Sequence, residues 1–183
     1  MNFEKRLSLI EPKIHNSNSF QKASVVVPYF LVNNRLLLVL LKRSNLVRYH
    51  KGEISFPGGM IEKTDKNLED TALREFEEEL GILRIKVSLI ARLDDVITKT
   101  KFLVTPFVGR IESNPIYSIN TDEVDKILEI PIDDLMSKNV QNKNQNLTIE
   151  DFFWKGHRIF GATLKILLQF LEIYNQVKRE RVF

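Results

Sequence analysis

The chain has 183 residues, with 27 Lys plus Arg against 24 Asp plus Glu and a formal net charge of +3. The absence of cysteine excludes disulfides, thiolate zinc sites and thiol nucleophiles. The basic excess is mild, far from the clustered stripe expected of a nucleic-acid binder. No apolar core marks a signal peptide in the first twenty residues. The longest apolar run, Leu36 to Leu41, is far too short to span a bilayer. These features lead to the expectation of a single domain over residues 1–183, cytoplasmic, with neither nucleic acid nor membrane as a partner.

In chain order, residues 1–20 form an arm or short helix, with Phe3, Leu7 and Ile10 on one side and Pro12 limiting it. Ser24 to Val32 is rich in β-branched and aromatic residues and predicts a strand. Pro28 within it predicts an edge, a bulge or a strand end. Asn33-Asn34 suits a tight hairpin turn, and Leu36 to Leu41 is the return strand. A basic loop over 42–52 carries Arg43, Arg48, His50 and Lys51, and a short strand follows near Ile54–Phe56. Pro57-Gly58-Gly59 must turn sharply, since paired glycines permit close backbone approach.

A helix follows, capped by Thr64 or Asp65 and closed by Gly81. At 100° per residue, Leu68, Ala72, Leu73, Phe76 and Leu80 share an apolar arc. Glu75, Glu78 and Glu79 fall on a neighbouring arc about 100° wide, and Glu77 points elsewhere, into solvent. Like charges at these spacings destabilise an isolated helix, and they crowd the negative end of its dipole. A bound cation offsets both costs, and all-oxygen ligands favour Mg²⁺ or Mn²⁺. Arg74 is placed to brace the cluster by pairing with one carboxylate. An ordinary acidic surface helix is the structural alternative.

Downstream, Ile85–Leu93 and Phe102–Ile111 predict strands, with a bulge at Pro106 and a polar loop over 94–101 between them. Glu123–Ile130 includes a strand and Pro131–Met136 a short helix. Lys138–Asn146 predicts a mobile loop. Thr148–Trp154 and Arg158–Phe160 form a final strand pair. A closing helix over 161–183 packs through Leu164, Leu167, Leu168, Leu171 and Tyr174.

The run Arg74-Glu75-Phe76-x-Glu78-Glu79-x-Gly81-Ile82 resembles the second half of the signature of Nudix hydrolases. Gly59 and Asp65 resemble its first half, with Asp for Glu and eight residues rather than seven before Arg74. Upstream, Arg43-Ser44-x3-Arg48-x3-Gly52-x3-Phe56-Pro57-Gly58-Gly59 resembles the extra motif of the coenzyme A pyrophosphatase branch. The branch's preceding Leu-Leu-Thr is here Val39-Leu40-Leu41, without the hydroxyl. Ile159-Phe160-Gly161-Ala162-Thr163 resembles its Ile-Trp-Gly-x-Thr.

The resemblance implies an α/β/α sandwich around a mixed β-sheet and metal-dependent hydrolysis of a diphosphate, most specifically that of coenzyme A or its thioesters. It implies metal binding by Glu75, Glu78, Glu79 and the Gly59 carbonyl, with Mg²⁺ or Mn²⁺ as cofactor. Catalytic candidates are Glu75, Glu78, Arg74 and Glu123; either Glu78 or Glu123 serves as general base, and a solvated loop acid is the alternative for Glu123. Substrate-binding candidates are Arg43, Arg48, His50 and Gly58, although His50 suits a turn equally well. The expected partner is a small-molecule diphosphate, and a homodimer is left open. The rival readings are a pyrophosphatase for ADP-ribose or another nucleoside diphosphate derivative, and a nucleotide-sensing module without catalysis.

Overall fold

A computed structural model describes residues 3–17, 19–136 and 151–180. Its centre is a mixed sheet with the strand path β3-β2-β1-β7-β5. The long strands are β1 (Gln21–Val32), β2 (Arg35–Arg43) and β7 (Phe102–Ile111). Around them lie β3 (Ile54–Ser55), β4 (Gly58–Met60), β5 (Val87–Arg92), β6 (Val96–Ile97) and β8 (Val124–Pro131). Among the described residues, only β1 and β7 pair in parallel; β4, β6 and β8 join antiparallel to β1, β7 and β2.

The period-two alternation of β1 and β2 sorts their side chains between two cores. Val26, Phe30, Val39 and Leu41 meet Ala72, Phe76 and Leu80 of helix α2 (Leu68–Leu80) on one face. Val27, Tyr29, Leu38 and Leu40 meet Leu164, Leu167 and Phe170 on the other. Those belong to the closing helix α4 (Gly161–Glu180), beside which α1 (Phe3–Leu7) packs through Phe3 and Leu7. The expected α/β/α arrangement around a mixed sheet is therefore observed. A helical segment α3 spans 132–136. A hairpin of β9 (Asp151–Trp154) and β10 (His157–Phe160) leads into α4. Among the described residues, no helix is long and apolar enough to cross a membrane.

Asn33 and Asn34 both adopt positive φ, 49° and 62°, as the hairpin requires. Pro28 and Pro106 lie in central strands, contrary to the expectations of an edge, bulge or end at Pro28 and a bulge at Pro106. The antiparallel partner of β1 changes from β4 at Val25 to β2 at Tyr29, so Pro28 sits where neither ladder reaches. Pro106 likewise falls between the β5 pairing at Phe107 and the β6 pairing at Val104. A missing N–H costs no antiparallel bond at such a junction. The irregularity near Pro106 lies instead on β5, between Leu89 and Ala91. The segment expected to be a loop over 94–101 contains β6. The expected loop at Lys138–Asn146 lies outside the described residues.

Candidate active site

Helix α2 supplies the acids and the β4 turn supplies their seat. Asn67, not Thr64 or Asp65, caps α2: its side chain accepts the Asp70 N–H at 2.8 Å. Gly81 closes the helix at φ 67°, and its N–H donates to the Glu77 carbonyl. Asp65 is unavailable as a cap because Arg74 holds it. Arg74 Nε and Nη2 donate to its two oxygens at 2.9 and 3.1 Å. Thr71 Oγ1 and the Glu62 N–H also donate to Asp65. These donors hold its carboxyl well below the usual carboxylate range, the Arg74 hydrogen bonds most of all. With eight residues between them, Asp65 and Arg74 still form the pair.

The remaining nitrogen of Arg74 reaches the acids. Nη1 donates to Glu75 Oε1 at 2.8 Å and Glu78 Oε2 at 3.0 Å, while Nη2 also donates to the Met60 carbonyl. Arg74 therefore braces two carboxylates of the cluster, not one, and ties both to the strand β4. Glu77 stands apart from them in an ion pair with Arg84 at 2.8 Å, rather than in open solvent.

The three acids differ sharply in environment. Glu78 is 54% exposed in its side chain, Glu75 15% and Glu79 1%. Rotation alone accounts for Glu79: at 100° per residue it falls between Leu68 and Ala72, inside the apolar arc. Its Oε2 accepts the Gly58 N–H at 2.9 Å and its Oε1 accepts Arg43 Nη1 at 3.3 Å. Burial pushes its carboxyl up to about 8, against the lowering effects of Gly58 and Arg43. Glu75 is also raised, first by burial, with Arg74 opposing. Glu123, on the loop before β8, adds a repulsive charge to both. The helix acids and the loop acid therefore lie within electrostatic reach of one another.

Gly58 and Gly59 fit this seat by their lack of side chains. Gly59 pairs with Ser24 and Gly58 with Val25 across the β1–β4 ladder. A Cβ at Gly58 would strike the Ser24 carbonyl and Val25, and one at Gly59 would strike the Glu75 carboxylate. Backbone and carboxylate are thus in close approach, with oxygen donors only. This donor set and the mutual repulsion of Glu75, Glu79 and Glu123 fit a hard divalent cation. Among the described residues, however, no three acidic or imidazole side chains form a ready coordination group; Arg74 stands between Glu75 and Glu78.

The basic loop divides. Arg43, at the end of β2, turns inward to Glu79. Arg48 is exposed, its guanidinium 5.1 Å from the centre of the Tyr49 ring. His50 takes φ 59°, accepts the Glu53 N–H at its carbonyl and pairs its Nδ1 with Glu53, so it shapes the turn. Sequence reading missed the anchoring of Asp65 by Thr71 and the inward path of Arg43. The signal for Arg43 was its parity with Leu37, Val39 and Leu41 on β2.

A family model described as the NUDIX domain matches residues 21–151. The uncharacterised Nudix hydrolase NudL of Photorhabdus laumondii is 32% identical over 170 residues, covering 90% of each chain. Nudix hydrolase 3 of Caenorhabditis elegans is 36% identical over 163 residues, 82% of this chain and 68% of that protein. The C. elegans Ap4A hydrolase shares the fold at a TM-score of 0.54 and 15% identity, covering 63% of this chain and 83% of that one. The chain belongs to the Nudix family, hydrolases acting on phosphorus-containing anhydrides. Enzymes of this family generally use divalent metal ions.

Proposed function

We propose that this Nudix hydrolase cleaves the diphosphate of coenzyme A or its thioesters, releasing 3′,5′-ADP and 4′-phosphopantetheine or its acyl form. The observation that carries the reading is the seating of Gly58 and Gly59 against Glu79 and Glu75. It joins the branch-like motif ending at Gly59 to the acids of α2 in one site.

Glu75, Glu78, Glu79 and the Gly59 carbonyl are the groups that would hold Mg²⁺ or Mn²⁺. Such an ion neutralises diphosphate charge and lowers the pKa of a bound water. Glu78 or Glu123 accepts the proton of the attacking water, as a positioned carboxylate can. The new P–O bond forms in line as the bridging P–O bond breaks, and the departing phosphate carries the electron pair. Arg74 contributes by fixing Glu75 and Glu78 relative to β4. Arg48, on the exposed loop, offers a guanidinium for the 3′-phosphate. The Gly58 N–H serves the site through Glu79.

The test is a substrate panel. The purified protein is incubated with Mg²⁺ or Mn²⁺ and coenzyme A, dephospho-coenzyme A, ADP-ribose or NADH, and products are identified by mass. The reading requires coenzyme A to be cleaved with a clear preference over dephospho-coenzyme A. Cleavage of ADP-ribose in preference to both would replace it with the rival pyrophosphatase.

A further inference from the structure

We propose that Arg43 is a positioning residue acting through Glu79, not a ligand of substrate phosphate. The inference deepens the functional reading above and rests on its placement of Glu79 in the site.

Four observations converge on it. Leu37, Val39 and Leu41 of β2 face the α2 side of the sheet, and Arg43 follows on the same parity, just past a register shift that skips Asp125 on β8. Its backbone is fixed there: its N–H donates to the Glu53 carbonyl at 2.9 Å, and its own carbonyl accepts the Gly52 N–H at 3.1 Å. Its Nη1 meets Glu79 Oε1 at 3.3 Å. Its Nε is buried and, among the described residues, has no hydrogen-bond partner. The Arg43 side chain is thus directed at Glu79, with 23% of it left exposed. Arg48, five residues on, lies exposed beside Tyr49 and is the better candidate to meet a ligand from solution.

The consequence is mechanical. The buried carboxylate of Glu79 has two anchors, the Gly58 N–H on Oε2 and Arg43 on Oε1. Deleting Arg43 leaves one anchor, and the carboxylate can turn about it. A misplaced group of this kind costs turnover far more than substrate binding, because reaction demands tighter geometry than association.

Two measurements test it. The first is a double-mutant cycle of Arg43→Ala and Glu79→Gln on unfolding midpoints in EDTA, without substrate. R43A is expected to lower the midpoint by several degrees in the wild-type background and by much less in the E79Q background. The second is steady-state kinetics on whichever diphosphate the protein cleaves best. R43A is expected to lower kcat at least tenfold with KM changed less than twofold, and R43K to recover part of the loss. Additive effects in the cycle would overturn the proposal. So would a KM increase for coenzyme A that is absent for dephospho-coenzyme A, which would return Arg43 to the phosphate. The cycle uses neither metal nor substrate, so failure of the coenzyme A assignment leaves its outcome legible. Should R43A fail to fold, R43K and E79Q carry the kinetic comparison alone: R43K must then lower kcat at unchanged KM.

Discussion

The Gly58 N–H donates to Glu79 Oε2 at 2.9 Å, joining the turn before α2 to an acid in its last turn, 21 residues away. This bond ties a strand end to a helix end in one structural unit. The buried carboxylate, pushed up to about 8 by its surroundings, is held where water cannot stabilise its charge. A nearby cation would do so instead.

Gly59 gives the most local test of that unit. A methyl group there meets the Glu75 carboxylate, so Gly59→Ala should displace Glu75. The expected cost in stability is small, because the atoms met are the far end of a flexible side chain, and the main loss falls on turnover. Thermal unfolding and kcat of the purified variant check both. Unchanged kcat would show that the approach of Glu75 to the backbone is dispensable.

Glu78→Gln should separate chemistry from folding. Its side chain is the most exposed of the three acids, so the unfolding midpoint should barely move. Turnover should fall by about 10²–10⁴-fold if Glu78 takes the water's proton. Near-wild-type turnover at saturating Mg²⁺, with loss instead in Glu123→Gln, would assign the base to Glu123.

Asp65→Asn should reveal a pH-dependent contribution to stability. The Arg74 pairing depresses the folded-state pKa of Asp65, so its stabilisation is complete above the ordinary aspartate value of about 4. It is lost as pH falls below that value toward the folded one. At pH 7 the variant leaves Arg74 without its main partner, at a cost of about 2 kcal/mol, or roughly 4–8 °C in a chain of this size. Midpoints of the two proteins should converge as pH falls below about 4. A constant difference across the range would contradict the ion pair as its source.

Arg48→Ala should alter selectivity rather than rate. If its guanidinium meets the 3′-phosphate, KM for coenzyme A should rise about tenfold, and KM for dephospho-coenzyme A should hardly change. A tenfold effect corresponds to one lost charge-assisted bond of about 1.4 kcal/mol. Equal increases for both substrates would place the contact elsewhere.

Composition and periodicity made much of the architecture readable. β-Branched and aromatic enrichment placed β1, the apolar run Leu36–Leu41 placed β2, and the apolar arc of α2 matched its buried face at Ala72, Phe76 and Leu80. The cap of α2 was misplaced because Asp65 has the chemistry of a cap but is taken by Arg74 across eight intervening residues. Local propensity does not encode such a pairing. Pro28 and Pro106 misled for a related reason: their tolerance depends on where strands change partners. The acids are legible as a group, and rotation places Glu79 inside the apolar arc, but its anchoring by Gly58 and Arg43 comes from the tertiary fold. The division of labour between Arg43 and Arg48 depends on which face of β2 the chain presents to α2, a tertiary fact.

The central claim is that the acids of α2 and the Gly59 turn share one divalent ion. Crystals grown with Mn²⁺ and a non-hydrolysable diphosphate test it through the anomalous signal of the metal. The account predicts a peak bounded by Glu75, Glu78, Glu79 and the Gly59 carbonyl, with Arg74 Nη1 withdrawn from between Glu75 and Glu78. A diphosphate bound in the cleft with the arginine still bridging those acids, and no anomalous peak beside them, would contradict it.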